Sequence, residues 1–224
     1  MDFFHIPFNL NEDQKNILMS SSAYLRDQLQ TINTDYTVSD KIVSAKMPDQ
    51  KFFDNCKIVT SRQNLIDKLP KNSIIAELGT QKGIFANDIL NICKPKELHL
   101  FDIMTEDYNN SDFNELKAFA KFHQGNSDEM LDRLPDNYFD WIYIDADHSY
   151  MGVKKDIYVA IKKIKPGGYL VFNDFTTWSI AEFLPYGVYH AVLEAISKYS
   201  CTVEYIALQE LGYHDIAIRK PFVL

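Results

Sequence analysis

Cysteine is scarce in this chain: Cys56, Cys93 and Cys201 are widely scattered and form no C-x-x-C pair. An odd count without pairing excludes a disulfide framework and a cysteine-rich zinc cluster, and leaves small core residues in a reducing compartment. Long apolar runs are missing too. Stretches such as Tyr169-Leu170-Val171-Phe172 are far too short to cross a bilayer. The start, Met1-Asp2-Phe3-Phe4-His5, has neither the basic residues nor the cleavage site of a secretory leader, so a cytoplasmic location is expected. Lys and Arg form no long run and the net charge is −8. That argues against a nucleic-acid partner, whose phosphates need a basic surface. Lys154-Lys155 and Lys162-Lys163 alternate with apolar residues at helical spacing and read as a solvated helix face. With only eight glycines, the chain contains no G-x-G-x-x-G. It lacks the turn that seats a dinucleotide pyrophosphate, which disfavours a nicotinamide-dependent oxidoreductase.

What is present suits one globular domain with an N-terminal extension. We place the extension at residues 1–60 and the domain at 61–224. In the extension, Ile17, Leu18, Leu25 and Leu29 recur at helical spacing between Asp13 and Leu29. Thr31 to Asp54 is polar, broken by Pro48, and reads as irregular. Ser61 opens a short helix with Leu65, Ile66 and Leu69 on one face and Pro70 beyond its end. From Ser73 the pattern changes to short apolar runs alternating with helical segments. The runs are 74–78, 98–101, 139–144, 168–172, 203–208 and 215–218, with a weaker one at 121–123. Helical patterns fill 84–92, 113–120, 128–134, 150–164 and 188–199. Such alternation predicts an α/β fold, a parallel sheet covered by helices on both faces. Right-handed crossovers put the strand carboxyl ends on one edge, where ligands of open α/β sheets bind.

The residues at that edge carry the chemistry. The first strand runs into Glu77-Leu78-Gly79-Thr80-Gln81-Lys82-Gly83. This E-x-G-x-x-x-G turn fits a ligand without phosphates, or is two ordinary turn glycines. Asp102 ends the second strand, 19 positions after Gly83; it is placed to accept from ribose hydroxyls, or to cap a helix. Asn126 and Ser127 open the next helix and either cap it or face an adenine ring. Asp145, Asp147 and His148 crowd the end of the fourth strand. They would bind a divalent cation, or His148 would act as a general base, with Asp147 or Ser149 capping the following helix. Lys165-Pro166-Gly167-Gly168 is a helix stop before the fifth strand, which ends in Asn173-Asp174. Asp145, Asn173 and Asp174 together offer oxygen ligands suited to Mg²⁺ or Ca²⁺.

Taken together, Ala76 to Gly83, Leu100 to Asp102, Gly125 to Ser127, Phe139 to Tyr150 and Ile164 to Asp174 resemble the motifs of a class I S-adenosylmethionine-dependent methyltransferase. More narrowly, the chain is similar to methyltransferase family 24 and to catechol- and macrocin-type O-methyltransferases. The likeness spans about Arg62 to Lys220 and leaves the first 60 residues uncovered. It implies a Rossmann-like sheet of seven strands, the last antiparallel. It implies that Glu77, Gly79, Thr80 and Gly83 line the methionine end of the cofactor, that Asp102 holds the ribose, and that Asn126 and Ser127 sit by the adenine. Asp145 would lie by the methionine amino group and a metal. Related metal-dependent enzymes carry Asp-Asn or Asp-Asp after the fifth strand, whereas this chain has Asn173-Asp174.

The expected activity is O-methylation of a small hydroxylated acceptor, with a divalent metal or with His148 as the base. A protein that binds S-adenosylmethionine without turnover is the alternative, disfavoured by Asp145, His148 and Asp174 occurring together. Trp178, Phe183, Tyr186 and Tyr189 would form an acceptor wall, or pack into the core or a subunit contact. Phe3, Phe4, Phe8 and Tyr24 would cover the acceptor or join two copies in a homodimer.

Overall fold

The computed structural model describes residues 11–33, 47–182 and 184–222. Phe3, Phe4, Phe8 and Phe183 lie outside them. Helix α1 (Glu12–Asn33) stands in a unit separate from the rest and is described by itself. Its start is a reciprocal cap: Gln14 N donates to Asn11 Oδ1 and Asn11 N donates to Gln14 Oε1.

The second unit is built on one sheet. In chain order it comprises β1 (Lys57–Val59), α2 (Arg62–Asp67), β2 (Ile74–Leu78), α3 (Ile84–Cys93), β3 (Glu97–Asp102), α4 (Glu106–Asn109), α5 (Asn114–Phe119) and β4 (Lys121–Gln124). It continues with α6 (Ser127–Asp132), β5 (Phe139–Ile144), α7 (Tyr150–Lys163), β6 (Ile164–Phe172), a hairpin of β7 (Trp178–Ser179) and β8 (Leu184–Pro185), α8 (Val188–Tyr199), β9 (Thr202–Ala207) and β10 (Asp215–Arg219). The strand order is β1-β9-β10-β6-β5-β2-β3-β4. The sheet thus has eight strands where seven were expected. The extra one, β1, pairs in parallel with β9 at the edge; three residues are too few to show a period. The last strand, β10, is antiparallel to both its neighbours.

Central strands are apolar on both faces because helices cover both. In β5, Ile142 and Ile144 pack into one core, with α7 and α8, while Trp141 and Tyr143 pack into the other, with α2 and α3. Ser61 caps α2 by accepting from Asn64 N at 3.1 Å. Two local expectations are corrected. Lys165-Pro166-Gly167-Gly168 does not stand outside the sheet: β6 starts at Ile164 and the register slips between Phe139 and Trp141 of β5. Such a slip is a bulge, which tolerates Pro and a glycine at positive φ. Nor is Lys163 on a solvated face. It is buried, and its Nζ donates to Asp132 O, Leu134 O and Asp136 Oδ1.

His99 of β3 is also buried, hydrogen-bonded through Nδ1 to His123 Nε2 at 3.0 Å, with Glu97, Tyr138 and Phe139 around it. Burial lowers its pKa to about 4, with Glu97 opposing and His123 and Lys121 adding to the fall. The unfolded chain takes up a proton near pH 6.5, whereas the folded one does so only near 4. Stability from this group is therefore complete above pH 6.5 and lost as pH falls toward 4, by up to about 3 kcal/mol. Urea denaturation between pH 7 and 4.5 should show this slope in the parent and a flatter one in His99→Leu; identical slopes would contradict the account.

Candidate active site

A cleft of about 820 Å³ opens at the carboxyl edge of the sheet. Glu77, Gly79, Thr80, Asp102, Asn126, Ser127, Asp145 and His148 all line it. Parallel register explains the convergence. Leu78 of β2 lies beside Phe101 of β3 and Ile144 of β5, and Asp102 lies beside Gln124 of β4. The next residue or two of each strand therefore emerge on the same rim.

Gly79 has φ +86°, and a Cβ there would stand 1.9 Å from the carbonyl oxygen of Asp145. The glycine is required by the crossing of two backbone segments, which Asp145 N donating to Leu78 O at 2.8 Å holds together. Gly83, at φ +81°, precedes α3 and is buried against Tyr108 and Leu116 rather than lining the cleft.

Glu77 is 1% exposed, and its Oε2 has no hydrogen-bond partner. The hydroxyls of Thr80 and Tyr108 are likewise buried and unpartnered. Burial, then the charge of Asp145, holds the Glu77 carboxyl well above its ordinary pKa, while Thr80 and Arg62 pull it back. An unsatisfied buried carboxyl costs about 1–3 kcal/mol, which a cationic ligand group would recover. Arg62 was missed in the sequence. It lies over the Phe85 ring, 4.6 Å from its centroid, and lines the cleft.

Asp102 accepts from Gln81 N at 2.7 Å and Met104 N at 2.9 Å, so it braces two loops; each carboxylate oxygen retains a further lone pair. Neither Asn126 nor Ser127 caps α6 through its side chain. Asn126 Nδ2 reaches Glu129 Oε1 at 3.3 Å, and Ser127 Oγ donates to Asp156 Oδ1 at 2.6 Å. Asp156, buried on α7, was also missed because Lys154-Lys155-Asp156 reads as a charged surface.

His148 stands between two carboxylates. Its Nε2 lies 3.4 Å from Asp145 Oδ1 and 3.7 Å from Asp174 Oδ2, and its ring stacks on Tyr186 at 4.5 Å and 17°. Burial works against the charged imidazole, but Asp145 and Asp174 outweigh it and raise the pKa. Asp174 is itself pushed up to about 6 by burial, with His148 opposing. The neighbouring loop is held locally: Ser149 accepts from Gly152 N and caps α7, while exposed Asp147 accepts from Ser149 N at 2.8 Å.

Asn173 is buried beneath this group. Its Nδ2 donates to Tyr143 Oη at 3.2 Å and to Asp215 Oδ1 at 3.3 Å. Tyr143 donates to Asp215 Oδ2 at 2.6 Å, and Gln209 donates to the other oxygen of that carboxylate. The set Asp145, Asn173 and Asp174 therefore does not fit Mg²⁺ or Ca²⁺. It surrounds the His148 imidazole rather than an open position, and no three His, Cys, Asp or Glu among the described residues are arranged for a metal. Of the expected aromatic wall, Tyr186 faces His148 and donates to Glu182 Oε2, whereas Tyr189 packs on Phe175.

Residues 76–175, which hold Glu77, Asp102, Asp145, His148, Asn173 and Asp174 but not Arg62, Glu182, Tyr186 or Asp215, match the model of a family described as a methyltransferase domain. The match covers 100 of the 224 residues and, with the Rossmann-like sheet, supports a class I S-adenosylmethionine-dependent methyltransferase. S-adenosylmethionine is the methyl donor of this class. No curated protein matches the sequence. Among solved structures, the methyltransferase is similar to an S-adenosylmethionine-dependent methyltransferase from Methanosarcina mazei, at 14% identity and TM-score 0.56, covering 73% of this chain and 99% of that one. It is also similar to the N-methyltransferase NodS of Bradyrhizobium japonicum, at 16% identity and TM-score 0.52 over 71% and 94% of the two chains. A third is the m1A22 tRNA methyltransferase TrmK of Bacillus subtilis, at 12% identity and TM-score 0.54; the match spans 73% of this chain and 66% of that one. These likenesses show the fold alone.

Proposed function

We propose that this methyltransferase acts on a hydroxyl of a small acceptor, with His148 taking the hydroxyl proton. The observation that carries the reading is His148 Nε2 poised between Asp145 and Asp174 at the cleft. The donor supplies a methyl group already activated on a sulfonium; its S–CH₃ bond breaks as the O–CH₃ bond forms. The protein has to place the acceptor oxygen in line, remove its proton and exclude water. Glu77, with its unpaired oxygen, receives the cationic amino group at the methionine end beside Gly79 and Thr80. Asp102 accepts from the ribose hydroxyls, and Asn126 and Ser127 border the base. Asp145 and Asp174 orient the imidazole and stabilise it once protonated. Tyr186, stacked on His148, forms the near side of the acceptor subsite.

A small acceptor agrees with the net charge of −8 and with carboxylates on both sides of His148, a poor surface for a phosphate backbone. The test has two parts. Calorimetry should show binding of S-adenosylmethionine and none of NAD; the reverse would sink the donor assignment. Radiolabelled methyl transfer to a panel of hydroxylated acceptors should then proceed equally with and without EDTA. Loss in EDTA with recovery in Mg²⁺ would remove His148 from the base role.

A further inference from the structure

Asp215 of β10 has no part in the chemistry just described, yet it is an acid buried completely beneath the base. Three donors meet it. Tyr143 donates to Oδ2 at 2.6 Å, while Asn173 Nδ2, at 3.3 Å, and Gln209 Nε2 donate to Oδ1. Burial pushes the Asp215 carboxyl up to about 7, with Tyr143 and Arg62 opposing and Asp145 and Asp174 adding. Above that pH it is ionised and can only accept. Tyr143 has one proton and gives it to Asp215, so toward Asn173 Nδ2, at 3.2 Å, it too can only accept. Both groups at one end of the Asn173 amide are therefore acceptors. They take the two hydrogens of its NH₂ and turn its carbonyl oxygen the other way. That oxygen meets His148. Burial lowers the imidazole's pKa, whereas Asp145, then Asp174, then a hydrogen bond with Asn173 raise it; of the two ends of an amide, only the accepting oxygen can do so.

We infer that Asp215 is a positioning residue for His148: through the Asn173 amide it presents an oxygen rather than an NH₂ to the imidazole, and so fixes which ring nitrogen carries the hydrogen. The inference rests on His148 being the base, as proposed above. The ring nitrogen bonded to the amide oxygen keeps its hydrogen. The opposite nitrogen is left bare and takes the proton of the acceptor hydroxyl as the methyl group transfers. An inverted amide would offer the first nitrogen a hydrogen instead, and favour the tautomer whose bare nitrogen faces away from the acceptor. The amide has nearly the same outline either way round, so packing alone does not choose. The two acceptors beneath it do.

The test reads the His148 side chain by nitrogen NMR at pH 9, where the ring is neutral and Asp215 ionised, and measures turnover beside it; His148→Ala supplies the assignment. The parent is expected to show one tautomer, with one N–H and one bare nitrogen. Asp215→Asn puts a second NH₂ beneath Asn173, so its amide inverts in part. The spectrum should move toward a mixture, and kcat should fall about tenfold, the size of one misdirected hydrogen bond, with donor affinity nearly unchanged. Tyr143→Phe is the control: it breaks the same network and costs stability, but leaves Asp215 to hold the amide, so the tautomer should stay that of the parent. If Asp215→Asn does not fold, Asn173→Ala carries the test by removing the oxygen itself, with the same expected mixture and loss. A mixed parent spectrum, a tautomer unmoved in the folded variants, or an equal change in Tyr143→Phe overturns the role of Asp215 and leaves His148 standing as the base. A tautomer that moves with no loss of turnover overturns the base assignment on which the inference rests.

Discussion

Replacing His148 with alanine is expected to lower turnover by about 10²–10⁴-fold while leaving donor affinity nearly unchanged. The size is that of a lost general base whose substrate is a hydroxyl, a poor nucleophile until its proton leaves. The separation of the two effects follows from position. His148 meets Asp145, Asp174 and Tyr186 on the acceptor side, whereas the proposed donor seat is built from Glu77, Asp102 and Ser127. A pH profile adds a readout that a packing role would not move. The base is active only when neutral, and its carboxylate neighbours raise its pKa, so activity should rise with pH on a limb lying above the usual 6.5. Asp174→Asn removes one of those charges and should move the limb to lower pH. A His148→Ala enzyme that keeps a third of the parent turnover, or an unmoved limb in Asp174→Asn, would contradict the assignment.

The second large effect is structural. Gly79→Ala should destabilise the domain by more than about 3 kcal/mol and abolish donor binding. A left-handed φ alone costs an alanine about 1–2 kcal/mol. At Gly79 the added carbon also meets the Asp145 carbonyl at 1.9 Å, and backbone cannot yield as a side chain can. Gly83→Ala is the control. Its φ is similar, but its neighbours are side-chain carbons of Leu116 and Tyr108 at 3.0–3.2 Å, so only the smaller, conformational cost is expected. Urea denaturation of the two variants tests the contrast; equal losses would show that strain, not the crossing, dominates.

Much of this was legible in the residue order. Central strands declared themselves because both faces are apolar, and five of the helices because each has one apolar face. Glu77, Asp102, Asp145 and His148 could be brought to one cleft without coordinates, since parallel strands stack their ends. What could not be read is any residue that reaches the cleft from outside that rule. Arg62 comes from the helix ahead of β2, and Asp156 from the middle of α7, where neighbouring lysines disguise it as surface. The metal expectation finds no support for a related reason. Sequence places Asp145, Asn173 and Asp174 at adjacent strand ends, but says nothing of the imidazole that fills the space between them or of the buried Tyr143 and Asp215 that hold the asparagine amide.

The crossing of Gly79 under the Asp145 carbonyl has a mechanical consequence as well. With no slack between them, the turn of Gly79 and the loop of Asp145 and His148 are held as one rigid jaw. Across His148, through Tyr186, stands the segment of the β7–β8 hairpin. It is fastened by Gly187 N to His148 O at 2.8 Å, by Tyr213 Oη with Ser179 Oγ at 2.9 Å and by Ala181 N to Tyr213 Oη at 2.8 Å. The first ends on the backbone carbonyl of His148, so any swing of the hairpin pulls on the backbone of the residue proposed as the base.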